Sequence, residues 1–303
     1  MTLKRCKVSL SFRCASSAPP SAGTRFSKPS PNPPNSLPVL DESKRQLLKT
    51  YVSEAEFFEK VLEPDLSSMA YGSHLVEVGS GVGLLAINLA AKGFEVTAFE
   101  PQTNGFTDMH KMRDHITANW PGSIPQVNFR DTSIDNSTRL DRPADYIFAI
   151  NVIEHVPDYK ILISDALKLQ TSKGVMRIIC PNYAIPYEPH LELPVIFNKS
   201  LTWRIFNRRI LNSPMDNPRE FWQDLSWPSQ RRLKKILREL DVVAEFSRDA
   251  TNFYINRALN DTTFLNRKGR GIGTLIKVFA FAAKHLTRFI PISLIPVIDC
   301  RIT

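Results

Sequence analysis

"HLVEVGSGVGLLAINLAAKGFEVTAFEP", residues 74–101, decides the fold. His74–Val78 reads as a short buried strand, Leu84–Lys92 as a helix, and Glu95–Phe99 as a second strand that ends in Glu100. Between the first strand and the helix stand Gly79, Gly81 and Gly83. A strand-to-helix turn without Cβ atoms lets the backbone approach a ligand closely. In the dinucleotide fingerprint the glycines run Gly-x-Gly-x-x-Gly. Here the third glycine comes one residue early. Glu100 stands where an acid can accept hydrogen bonds from both hydroxyls of a ribose, which fits more than one adenine nucleotide.

Working outward, a helical pattern starts at Asp41, with Leu47, Leu48, Tyr51, Val52, Ala55 and Phe58 at three- and four-residue spacing. Downstream of Glu100, the pattern predicts a helix over Thr103–Asn119 and strands over Gln126–Arg130 and Asp145–Ile150. A helix over Asp158–Gln170 and a strand over Val175–Cys180 follow. Strands alternating with helices argue for a parallel sheet covered on both faces. Residues 181–228 break the alternation with seven prolines and three of the four tryptophans, and read as an insertion above the sheet's carboxyl edge. Ser229–Leu240 returns to a helix and Asp241–Phe246 to a strand. Leu294–Cys300 is the candidate last strand.

Four segments now stand in order: Leu75-Val76-Glu77-Val78 with the glycines; Glu100-Pro101; Arg130-Asp131-Thr132 after the third strand; and Asn151-Val152-Ile153-Glu154-His155-Val156 after the fourth. Together they resemble class I S-adenosylmethionine-dependent methyltransferases. Within that class the fourth-strand segment is loosely similar to the ubiquinone-biosynthesis-like small-molecule O-methyltransferases. The resemblance covers about residues 72–181, with Lys173-Gly174 matching the family's glycine turn before its fifth strand, and does not extend to the insertion. It implies a doubly wound, mostly parallel seven-stranded sheet, a Rossmann-like fold, here with an inserted lid. It also implies S-adenosylmethionine as cofactor, held by Glu77, Gly79, Ser80, Gly81, Gly83, Glu100, Pro101, Asp131, Thr132, Asn151 and Val152. In the family an acid at the Asp131 position receives the adenine amino group.

Methyl transfer mainly needs donor and acceptor aligned and water excluded, but an oxygen acceptor of high pKa needs a general base. His155, just past the fourth strand, is the first candidate; the alternative is that it walls the cofactor pocket. Glu154 is expected to cap the following turn or touch the cofactor. Tyr187, Glu188 and His190, in a proline-stiffened segment after the fifth strand, are candidates for binding the acceptor. The carboxylate-rich constellation of catechol-type methyltransferases is not evident, and no catalytic metal is expected.

The ends of the chain carry the remaining signals. Of the net charge of +9, six bases lie in acid-free residues 1–40, leaving about +3 for the rest, so the body need not bind a polyanion. That segment also holds seven of the 22 prolines and reads as a disordered tail. Its composition fits an organellar transit peptide as well as an untargeted tail. The four cysteines show no Cys-x-x-Cys spacing, which points away from a disulfide framework and towards a reducing compartment such as the cytoplasm. In the tail from Gly271 to Ile298, charges and two prolines interrupt the apolar run, so a membrane span is not expected. Lys277, Lys284 and Arg288 share one helical face, fitting either a helix packed on the domain or peripheral membrane contact through 271–290.

The expected organisation is a tail over 1–40, a cofactor-binding α/β domain over 41–180, a substrate lid over 181–228, and the remainder of the α/β domain over 229–303. The leading expectation is methyl transfer to a small-molecule or lipid- or glycan-linked acceptor at oxygen. The alternatives are a nucleic-acid methyltransferase using the bases and aromatics of 197–222, and a cofactor-binding regulatory protein that transfers nothing.

Overall fold

Apolar runs bounded by glycine turns pair into one sheet at the centre of the chain. The computed structural model describes residues 42–102, 107–120, 123–213, 217–261, 264–265 and 270–303. The expected tail, and the first residues of the helix expected from Thr103, lie outside the described residues. The strands are β1 (His74–Val78), β2 (Glu95–Phe99), β3 (Val127–Arg130), β4 (Ala144–Ile150), β5 (Gln170–Pro181), β8 (Ala244–Phe246) and β9 (Val297–Ile302). They form a seven-stranded sheet in the order β3-β2-β1-β4-β5-β9-β8. Only β9 runs antiparallel to its neighbours. The expected sheet is present.

Side-chain alternation on these strands sorts two cores. Leu75, Tyr146 and Phe148 face α1 (Glu42–Leu66) and α2 (Leu84–Ala91), while Val76, Val78, Ile147 and Ala149 face α4 (Tyr159–Leu167) and α7 (Gln230–Glu239). Each of these strand residues is buried, worth roughly 1.5–3 kcal/mol for a full-sized apolar side chain. Helix starts are set by side chains: Asp158 Oδ1 accepts from the Lys160 and Ile161 amides at 3.2 and 3.4 Å, and the Ser229 hydroxyl accepts from Arg232 N at 3.3 Å.

Several boundaries differ from the sequence reading; among them, α4 ends at Leu167 and not Gln170, and β8 starts at Ala244 and not Asp241. β5 starts at Gln170, not Val175, and its register against β4 shifts between Ala144 and Tyr146, so Lys173-Gly174 sit in an irregular strand and not in a turn. The last strand runs Val297–Ile302, because Leu294 belongs to a short 3-10 turn closed by the Pro291 carbonyl.

Between β5 and α7 the chain forms a small hairpin, β6 (Tyr187–Glu188) with β7 (Leu193–Pro194), and two helices, α5 (Lys199–Leu211) and α6 (Pro218–Asp224). These share a cluster of Leu193, Ile210, Trp222 and Leu225. Two more helices, α8 (Asp249–Asn260) and α9 (Arg270–Leu286), precede β9. β1 lies beside both β2 and β4, so the chain winds away in opposite directions from that point and leaves a crevice beyond the carboxyl ends of β1 and β4.

Candidate functional site

The glycine turn occupies one wall of that crevice. Gly79, Gly81 and Gly83 all have left-handed φ, at 70°, 54° and 75°. A Cβ on Gly79 would collide with the side chain of Val152, so the turn after β1 and the segment after β4 touch. A Cβ on Gly81 would meet only Met109 Sδ, at 3.7 Å, which leaves open space over the turn. The Gly81 amide donates to Glu100 Oε2 at 2.7 Å. Burial, reinforced by the charge of Glu100, pushes the Glu77 carboxyl well above its usual range. Glu77 Oε2 and the Ser80 hydroxyl are buried without a hydrogen-bond partner among the described residues, and a polar ligand in the crevice would supply one.

The outer cofactor candidates are more exposed. Asp131 pairs with Arg113 on α3 (Thr107–Ala118) at 2.8 Å, and Gln102 Nε2 reaches its other oxygen at 3.5 Å. The Arg113 hydrogen bond holds its pKa below the usual carboxylate value. Arg113 gave no signal in the strand–helix pattern, since it is one base among several on its helix. Pro101 is half-buried, its carbonyl 3.5 Å from His110 Nε2, and Thr132 is exposed. Asn151 takes a left-handed φ of 54° and shares a hydrogen bond with Tyr254 of α8. Asparagine tolerates that conformation better than most residues, and strained backbone is often found at functional turns.

On the other wall, the segment after β5 folds against the 3-10 turn Ile153–His155. His155 and His190 meet ring to ring at 5.0 Å, and Phe221 of α6 lies 5.4 Å from each. Ser226 ties this wall down, its amide donating to the Glu154 carbonyl at 2.7 Å and its hydroxyl to the Ile153 carbonyl at 2.8 Å.

Glu188, fully buried, accepts from His190 Nδ1 at 2.7 Å, from Tyr183 Oη at 3.1 Å, and from the amides of His190 and Leu191 at 3.2 and 2.6 Å. Burial opposes the charged form of each partner, yet these hydrogen bonds prevail. Glu188 lies below its usual pKa and His190 above. His155 has the opposite balance: burial and the neighbouring His190 drive it down to about 3.

Glu154 does not cap α4, since Asp158 does. Its carboxylate is fully buried beside the two histidines and meets no donor from another residue among those described. Burial pushes it up to about 7. Glu154, His155 and His190 each offer a ligand atom within 4.8 Å of the others, so they could hold a cation. Tyr187 is the one acceptor candidate left outside. It neighbours Glu188 on β6, so strand alternation turns it to the opposite side, half exposed. Tyr183, which donates to Glu188, stacks on Trp227 at 5.4 Å, and the buried Trp227 Nε1 has no partner among the described residues.

Filling the open space over the turn tests the cofactor wall. Gly81→Leu should weaken S-adenosylhomocysteine binding about tenfold or more in calorimetry, because the side chain occupies that space in a strained conformation. Unchanged affinity would remove the turn from the binding site.

Comparison with known proteins gives the family of the chain. An uncharacterized protein of Mycobacterium tuberculosis, present in strains CDC 1551 / Oshkosh and ATCC 25618 / H37Rv, is 33% identical over 260 residues, covering 83% of this chain and 85% of the relative. Among solved structures, the plantazolicin methyltransferase BpumL in complex with SAH and a triazolic desmethylPZN analog aligns at 13% identity. It covers 93% of each chain with a TM-score of 0.45. The mycolic acid cyclopropane synthase CmaA1, complexed with SAH and CTAB, aligns at 15% identity over 83% of this chain and 85% of that one, with a TM-score of 0.48. Residues 46–243 match the family described as "Methyltransferase domain". With most of its length inside that match, the chain belongs to the methyltransferase-domain family and is a class I S-adenosylmethionine-dependent methyltransferase.

Proposed function

We propose that the protein methylates a hydroxyl of a small-molecule or lipid-linked acceptor seated between the His155–His190 wall and the glycine turn, with residues 181–228 as lid. When bound, S-adenosylmethionine supplies a methyl group already activated on sulfur. The chain's own work is to align the acceptor, exclude water and take up one proton. The observation that carries this reading is the Glu188–His190 pair. Glu188 receives Nδ1–H, which fixes the tautomer and leaves Nε2 as the basic nitrogen. His155, driven down to about 3, is too weak a base for an ordinary hydroxyl and serves as a neutral wall. The base is therefore better assigned to His190, with Glu188 and Tyr183 as its positioning residues.

A second reading of the same wall rests on Glu154. A buried carboxylate with no donor from another described residue is costly unless it is protonated or meets a cation. A divalent ion on Glu154, His155 and His190 would lower the acceptor's pKa in place of a base.

Purified protein should be incubated with labelled methyl donor and fractionated cell extract. Label is expected in an alkali-stable ether of the organic or small-molecule fraction, undiminished by a chelator. Activity lost to the chelator and restored by a divalent ion would select the second reading. Label entering RNA, with steep loss as salt rises, would replace both with a nucleic-acid substrate.

A further inference from the structure

We infer that α9 and the turn after it dock this protein peripherally on an anionic lipid bilayer. The helix has two apolar faces. One packs inward, with Ile276, Ala280 and Ala283 against Ile255 and Ala258 of α8. The other faces outward, uncovered among the described residues: Val278 is 62% exposed, Phe279 65%, Phe281 63%, Leu286 54% and, one turn on, Phe289 71%. A helix held only by its packing on the domain needs one such face. Three phenylalanines left in water on one helix and its following turn point to a surface that something covers.

The charges say what covers it. Between Asp261 and Asp299 the sequence carries six bases (Arg267, Lys268, Arg270, Lys277, Lys284 and Arg288) and no acid. Lys277, Lys284 and Arg288 are exposed and run along one edge of the outward apolar face. An apolar face bordered by bases complements an acyl boundary topped with anionic headgroups. A second copy of the chain is a poorer occupant, because it would set one basic edge against another without an acid on either. Spanning is not involved: among the described residues no helix is long and apolar enough to cross a membrane.

The face is rigidly displayed. Arg248 donates to the Thr287 and Ile290 carbonyls at 3.2 and 2.6 Å, fixing the end of the helix to the domain. Beyond it, the Asn182 backbone amide donates to the Pro296 carbonyl at 2.9 Å. Its side chain donates to Ser293 and Ile295 at 3.1 and 2.8 Å. Asn182 is the residue that follows β5 and opens the segment carrying Tyr183, Glu188 and His190. The docking face and the acceptor wall thus share one anchor. Under the methyl-transfer reading above, on which this last step rests, an acceptor with a lipid tail would enter from the bilayer.

Docking is measured by co-sedimentation with vesicles of phosphatidylcholine, with or without about a third phosphatidylserine. The full chain should bind the anionic vesicles and be released by salt. Phe281→Ser with Phe289→Ser should lower the partition coefficient on the order of tenfold or more, with S-adenosylhomocysteine affinity unchanged as proof of folding. Lys277→Gln with Lys284→Gln should remove the preference for anionic vesicles. Wild-type protein that stays in the supernatant at low ionic strength, or a double phenylalanine variant that binds equally, overturns the docking. So does self-association lost in that variant without vesicle binding, which would assign the face to a second copy. None of these readouts uses methyl transfer, so failure of the docking is distinguishable from failure of the proposed reaction.

Discussion

His190→Gln should reduce kcat by roughly 10²–10⁴, the usual worth of a positioned general base, while S-adenosylhomocysteine affinity stays within about twofold. The split matters. A side chain that only supports the wall would move cofactor affinity or stability together with rate. The pH profile gives an independent readout. Glu188 holds the imidazole of His190 above its ordinary value, so the basic form grows in as pH rises through that raised value. The rate should therefore rise with pH along a limb lying above the normal imidazole range. Glu188→Gln removes the charge that favours imidazolium but keeps an acceptor for Nδ1–H. The limb should then move to lower pH and the plateau should fall, because a less basic nitrogen accepts the proton less well. If His190→Gln keeps full kcat, or if the limb does not move in Glu188→Gln, the base is not His190.

How much of this was legible in the sequence depends on the distance over which each feature is determined. β1, the turn and β2 have the boundaries that residues 74–101 suggested, because alternation, glycine and apolar runs are local signals. The irregular start of β5 was not, since Lys173-Gly174 looks like a turn until its pairing with β4 is known. The acceptor wall is harder still. His155 and His190 stand apart in the chain and meet only because β4 and β5 are neighbours whose following segments fold towards each other. Proximity to β4 in sequence therefore favoured His155 as base, but burial weakens it and Glu188 strengthens its neighbour. That Tyr187 faces outward and Glu188 inward was hidden for a related reason: a two-residue strand sets which side chain is buried, and nothing in its composition reveals it. Arg177 passed as one charge in an apolar strand, although its position between Met176 and Ile178 gave a hint that it is buried.

That arginine carries the largest stability prediction. Arg177 is fully buried and donates to Asp299 through Nε and Nη2, both at 2.9 Å, and through Nη1 to Asp65 and the Val61 carbonyl, both at 2.8 Å. Tyr146 Oη and Arg301 Nε also donate to Asp65, at 2.7 and 2.8 Å, so the network joins α1, β4, β5 and β9. Burial disfavours the charge on Asp299, but the Arg177 hydrogen bonds and charge outweigh it and hold its carboxyl below the usual value. Arg177→Met should cost about 3–5 kcal/mol in urea unfolding, because it leaves the fully buried Asp299 without its counter-ion. Against a typical total of roughly 5–15 kcal/mol, that brings the protein close to unfolding. Arg177→Met with Asp299→Leu should recover most of the loss, since the desolvated charge goes with its partner. The sign with pH follows. With Arg177 present, the depressed Asp299 contributes stability above its unfolded pKa, near 4, that is lost as pH falls through the folded value. In Arg177→Met, Asp299 is buried without that partner and its pKa rises, so the variant should lose stability as pH rises above about 4. A variant that keeps the wild-type acid limb, or loses less than about 1 kcal/mol, would show that Asp65 and Arg301 hold β9 to α1 without Arg177.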